Sequence, residues 1–133
     1  MTMEVDFLAL LVGNAALAAL VVDRIYPSTY DQGAASPALR YSKVAGSTGL
    51  HMRGSDGLSS DLMQVDARAL TALEAMRIRD ALVALLHGYS GQLGATAFQL
   101  IELNSDRGVQ FDETGAEKFY TASLDFDVWS RPA

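Results

Sequence analysis

Residues 46–61 read GSTGLHMRGSDGLSSD and bring together a histidine, an arginine, two aspartates and five serines or threonines. His51, Ser55 and Asp56 are the residue types of an acyl-transfer triad, and His51, Arg53 and Asp56 could serve a small-molecule site. A triad, however, is assembled across a fold, with its base oriented by a buried acid. Three neighbours on one glycine-rich segment would be wet and unanchored. The piece GLHMRGSD also echoes a phosphate-binding loop. Its lysine is missing, and no strand-to-helix transition follows to offer a helix N-terminus to phosphate. Structureless stretches of this length are uncommon in small domains and are functional or disordered where they occur. The segment therefore reads as a projecting hairpin limb that reaches another molecule. That places Leu50, His51, Met52, Arg53 and Leu58 at a subunit or partner interface.

The other candidates have plainer explanations. His87 ends a helical pattern, where the helix dipole and the free carbonyls of the last turn favour an imidazole. Asp106, Asp112, Glu113 and Glu117 cluster in acidic turns without the spacing of a calcium loop. Asp125 and Asp127 share one face of a strand, but a catalytic carboxylate pair would need a cleft that drives their pKa values apart. Met52, Met63 and Met76 read as gap-fillers. The chain has no cysteine, which excludes disulfides, thiol nucleophiles and Cys-based zinc or iron–sulfur sites. Two histidines in separate contexts do not make a metal site. No catalytic residue, metal or cofactor is expected.

Charge narrows the partners. The formal net charge is −6 over 133 residues. Residues 1–101 hold nine acids and seven bases, and residues 102–133 hold seven acids and three bases, so most of the excess lies in the last quarter. Such a chain lacks the basic footprint that drives nucleic-acid affinity. The longest apolar run, Phe7 to Val22, is short for a membrane span and is broken by Asn14. Glu4 and Asp6 precede it in place of the basic residues of a secretion signal. The expectation is a soluble, cytoplasmic protein.

The elements that must position these residues follow from periodicity. Phe7, Leu10, Leu11, Leu17, Ala18 and Val21 recur at helical spacing with one gap. Gly13 suits a helix C′ position and Asn14 an N-cap, which predicts two short helices, about 5–12 and 15–22, or one kinked helix. LRYSKVAGS is a weak strand. In SDLMQVDARA, Met63, Val65 and Ala67 share one face and Leu62, Gln64 and Asp66 the other, so these two strands form an antiparallel hairpin with an over-long tip. Residues 71–86 are helical, with a stripe of Ala75, Ile78, Leu82, Leu85, Leu86 and Tyr89, and Gly88 as the stop. ATAFQLIEL is a strand, RGVQF a short second one or its continuation, and DETGAEK a turn. FYTASLDFDVW is the last strand, with Tyr120, Ala122, Leu124, Phe126 and Val128 on one face. The predicted fold is α+β, with one sheet of four or five mostly antiparallel strands and the helices packed on one side. Trp129 on the polar face, and apolar residues on both faces of ATAFQLIEL, point to a partner covering that face or an edge.

Three stretches carry a resemblance: LALLVGNAALAALVVDRIYP, MQVDARALTALEAMRIRDALVALLHG and FDETGAEKFYTASLDFDVWS. Together they are similar to the tail terminator or tail completion proteins of long-tailed bacteriophages and gene transfer agents, also called tail-to-head joining proteins. The resemblance implies one domain over residues 1–133 and a structural role in the virion. It implies a ring, typically of six copies, on the head-proximal end of the tail tube. The ring stops tube growth and binds the tube protein, the head connector and copies of itself, with no membrane. Its place is the head–tail junction of the virion, after assembly in the host cytoplasm. DNA passes through its centre without sequence-specific binding, and an acidic wall would let a polyanion slide. Glu102, Asp106, Asp112, Glu113, Asp125 and Asp127 are the candidates for that wall, and Trp129 joins the limb at the interface. The rival readings are another connector or neck protein, and a small cytoplasmic enzyme or ligand-binding domain.

Overall fold

The computed structural model describes residues 2–22, 24–27, 37–51, 54–114 and 117–132, and only the backbone of Thr2, 47–51, 54–57, 112–114 and Glu117. The element order is α1 (Thr2–Val12), α2 (Ala15–Val21), β1 (Ile25–Pro27), β2 (Ala38–His51), β3 (Gly54–Ala69), α3 (Ala72–Leu86), β4 (Tyr89–Leu93), β5 (Thr96–Thr114) and β6 (Glu117–Pro132). The strands form one six-stranded sheet in the order β1-β2-β3-β6-β5-β4. It curls into a half-barrel. Only β1–β2 is parallel.

The first helical run breaks where its sequence predicts. The Asn14 side chain accepts a hydrogen bond from the Leu17 N–H at 3.0 Å, and the Gly13 N–H donates to the Ala9 carbonyl at 2.9 Å. Each helix end thus satisfies its own orphan groups. The axes of the two helices bend by 78° at this point, and no single described helix is long and apolar enough to cross a membrane. Phe7, Leu11, Leu17 and Val21 are fully buried. At about 1.5–3 kcal/mol for each large apolar side chain, this burial outweighs any single hydrogen bond that holds the helices. Helix α3 starts at Thr71, whose hydroxyl accepts from the Glu74 N–H at 3.2 Å. Its buried stripe of Ala75, Ile78, Leu82 and Leu86 lies on β3, β5 and β6. Met63, Val65, Ala67, Ala122, Leu124, Phe126 and Val128 rise from the sheet to meet it, all fully or almost fully buried.

The sheet departs from its prediction in several places. There are six strands, not four or five. β1 and β4 are short edge strands of three and five residues, below the length at which alternation can be read. Pro27 fits β1 because an edge position can spare its missing N–H. The expected long loop at 46–61 is also corrected. β2 and β3 stay paired as far as His51 opposite Gly54, with irregularities between Lys43 and Ala45 and between Thr48 and Leu50. Likewise β5 and β6 stay paired to Thr114 opposite Glu117, so the turn expected over DETGAEK is ladder up to Thr114 and from Glu117 on, and its centre, 115–116, lies outside the described residues. Serines, threonines and glycines in these stretches hide the strand pattern, yet a partner strand still satisfies their backbone.

The apolar residues on both faces of ATAFQLIEL also find a cause. A bulge between Phe98 and Leu100 resets the alternation. Phe98 and Ile101 therefore both reach the core, at 2% and 0% exposure, while Leu100 turns outward. A sheet face covered by a partner is not needed to explain them.

Candidate functional site

Pairing registers place the two long hairpins at opposite ends of the sheet. Ser59 of β3 lies opposite Ser130 of β6, and Ala69 opposite Tyr120. The β2–β3 ribbon therefore extends past the C-terminal end of β6, with Gly54 and Ser55 paired to β2 alone and an irregularity between them and Ser59. The β5–β6 ribbon extends past the other end, where residues 117–119 pair with β5 alone. Leu50 and His51 lie on the first ribbon as backbone positions, Met52 and Arg53 fall outside the described residues, and Leu58 is half-buried at its root. Ser55 pairs with Leu50 across the same ribbon, and Asp56 lies in the irregular stretch after it, both as backbone positions. The second ribbon is hidden in the sequence, because Asp112, Glu113 and Thr114 on one strand and Glu117 on the other carry turn-forming residue types rather than a strand pattern. Phe111 and Tyr120 stack beside each other on it at 5.1 Å, with Phe111 exposed. Arg68 sits 4.4 Å over the Phe119 ring.

Between the ribbons, the face away from the helices carries a row of ionic contacts across four strands. Arg40 of β2 pairs with Asp66 of β3. Gln64 donates to both oxygens of Asp66, at 3.1 and 3.2 Å. One strand further, Asp125 of β6 lies opposite Gln64 and accepts from Ser105 at 3.0 Å and Arg107 at 2.5 Å through Oδ2. Its Oδ1 is buried with no hydrogen-bond partner among the described residues. The two aspartates are buried while the arginines above them keep about a third or more of their side chains in solvent, so what this row shows to the outside is guanidinium. Lone buried carboxylates would cost several kcal/mol, and these partners offset that.

The six acidic candidates divide. Glu102 and Asp127 face each other across β5 and β6 on this same face. Asp127 accepts from Asn104 at 2.9 Å. Asp125 joins them but is paired and buried. Asp106 goes to the helix side, 3.8 Å from Arg79 of α3. It pairs across with the buried Leu124, and the irregularities flanking it reset the face. Asp112 and Glu113 sit on the second ribbon as backbone positions. Trp129 is on the open face beside Leu100, both just over one-third exposed.

His87 is the C-cap of α3, its N–H donating to the Val83 carbonyl at 3.0 Å, and its side chain reaches further. Its Nδ1 accepts a hydrogen bond from the Leu103 N–H at 3.0 Å, closing part of the outer edge of β5 where β4 ends. That contact crosses sixteen residues and leaves no local sequence signal. On the helix side, Asp6 of α1 is buried and accepts from the Thr96 hydroxyl at 2.5 Å and the Ala95 N–H at 3.2 Å. A cleft between α1 and the β1–β2 edge is lined by Glu4, Leu8, Tyr41, Lys43 and Met63. Burial, and then the charge of Glu4, push the Tyr41 hydroxyl above its ordinary pKa. Lys43 reaches from there to the buried Asp61 at 3.3 Å.

One curled sheet, helices on one side and ribbons leaving both ends make an α+β domain whose longest extensions are backbone ladders. A chain of the solved structure titled "Virion of native gene transfer agent (GTA) particle" shares this fold, with a TM-score of 0.71 at 14% identity over 97% of this chain and 94% of that one. A comparison with curated proteins finds no match. Residues 5–131 match the family described as Tail completion protein gp17, and the chain belongs to that family. It is thus a structural protein of phage-type virion tails.

Proposed function

We propose that this chain forms a ring, of six copies by the expectation above, on the head-proximal end of a phage or gene transfer agent tail tube. The ring ends tube growth and joins the tail to the head connector, and its work is mechanical rather than catalytic. The observation that carries this reading is the family match over residues 5–131. The fold shared with a chain of an assembled gene transfer agent particle supports it. So do the two ribbons, which leave opposite ends of the sheet and give each subunit two extensions with which to hold its neighbours. Leu58 at the root of one ribbon and Trp129 on the open face are described contact positions, and Leu50, His51, Met52 and Arg53 complete that contact.

DNA passes through the centre, and Glu102 and Asp127 are the described acids placed to line it. Asp125, buried under Arg107, is assigned to the fold, and Asp112 and Glu113 extend the acidic character along the second ribbon. Fixed negative charge keeps a polyanion from adhering to the wall. Asp106 is assigned to the fold and not to the wall, because it faces α3.

Electron microscopy of particles assembled with and without this chain tests the proposal. The expected result is a ring of density between tube and connector that disappears with the chain, leaving tubes of uncontrolled length. Density for this chain elsewhere in the particle, or tubes of normal length without it, would overturn the reading.

A further inference from the structure

The two outer edges of the sheet are each covered for only part of their length. Among the described residues, β1 pairs with Leu39–Tyr41 of β2 and nothing pairs with Ser42–His51 beyond it. β4 pairs with Thr96–Ile101 of β5, His87 closes Leu103, and no described strand pairs with the outer edge from Asn104 to Thr114. Unpaired strand edges present rows of N–H and C=O groups ready to bind another strand. Within them the ladders run regularly from Ala45 to Thr48 and from Val109 to Thr114. Each bare stretch also carries an exposed apolar side chain, Val44 at 54% and Phe111 at 52%.

The two edges differ in charge. Ser42–His51 holds His51 and Lys43, the latter paired with Asp61, and no acid, whereas Asn104–Thr114 holds Asp106, Asp112 and Glu113 against one base, Arg107. Two acidic β5 edges therefore repel each other, while the β2 edge brings no acid against one, which favours a head-to-tail contact of β2 with β5. A head-to-tail contact closes into a ring when its rotation closes.

We infer that the bare edge of β2 in one copy pairs with the bare edge of β5 in the next, so that the sheets of neighbouring subunits join into one. This inference rests on the ring reading and specifies the partner of each edge. The full chain has no cysteine of its own, so Val44→Cys and Phe111→Cys can be placed alone and together and linked with a short flexible bis-maleimide. In assembled protein the double variant is expected to give a ladder of linked species up to the closed ring. A mixture of the two single variants should stop at dimers. Linking within a single variant alone would overturn the inference, as would no linking in the double variant while microscopy still shows rings. Absence of rings in the wild-type protein under assembly conditions would remove the ring reading itself and the inference with it. Independently, Val44→Glu should lower ring yield about tenfold, and adding Asp112→Lys and Glu113→Lys should restore it. Failure of that rescue, with the variants folded by circular dichroism, would also overturn the inference.

Discussion

Gly94 turns the chain from β4 into β5 at a φ of +59°, with the carboxylate of Asp6 filling the space a Cβ would need. Any side chain there meets both a left-handed backbone and an occupied space. Gly94→Ala is expected to lower stability by roughly 2–4 kcal/mol, since it adds backbone strain and displaces the acceptor of Thr96 and Ala95. Urea unfolding measures this, and an unchanged midpoint would contradict it. Tyr41 gives a pH signature. Its hydroxyl titrates above the ordinary value of 10.0 because it is buried and because Glu4 lies near. As pH rises through 10.0, the unfolded chain gives up its tyrosine protons while folded Tyr41 keeps its own. The unfolded state then binds fewer protons, so stability falls with further rise in pH. Tyr41→Phe should flatten part of that fall in urea midpoints taken above pH 10.0.

The hairpin of β2 and β3 holds its body and its limb by different means. In the body, Asp66 is almost wholly buried beneath Arg40 and Gln64. Arg40→Met takes one of those donors away and is expected to cost about 1–3 kcal/mol, a range lowered for the partial exposure of Arg40. The double variant Arg40→Met with Asp66→Asn should recover part of the loss, because no buried charge is left behind. Differential scanning calorimetry of the two variants decides it, and equal loss in both would argue against the pair. The limb is separate. β3 meets β6 only from Ser59 onward. Deleting Leu50–Gly57 should therefore leave the core folded, with Tm within a few degrees of the full chain, while assembly fails. Normal rings from the deletion would remove the limb from the interface.

For the whole molecule, the net charge of −6 is distributed with a purpose in the proposed ring. The buried aspartates are neutralised by arginines, and Glu102 and Asp127 remain to meet the solvent side of the open face. Replacing Glu102 and Asp127 by lysine should leave ring formation intact and slow DNA ejection from the particle, because a cationic wall holds phosphate. The slowing should shrink as salt is raised, since counterions screen that attraction. Ejection at the wild-type rate in low salt would show that these residues lie away from the path.

Local chemistry made much of this legible without coordinates. Asn14 as a cap, Gly88 as a stop, the α3 stripe and the alternation of β6 depend on neighbours three or four residues apart, or two along a strand, and sequence spacing carries such information directly. The same spacing showed Gln64 and Asp66 sharing a face. Long-range pairing decided the remainder. Whether GSTGLHMRGSDGLSSD is loop or ladder depends on a partner strand and not on its own composition, and the bulge that gathers Phe98 and Ile101 into the core exists only as a mismatch between β5 and β6. The ionic row from Arg40 to Arg107, the histidine on the edge of β5 and the opposed ribbons all join residues far apart in the chain. Spacing within a segment cannot specify them, because they are set by which strands lie side by side and in what register.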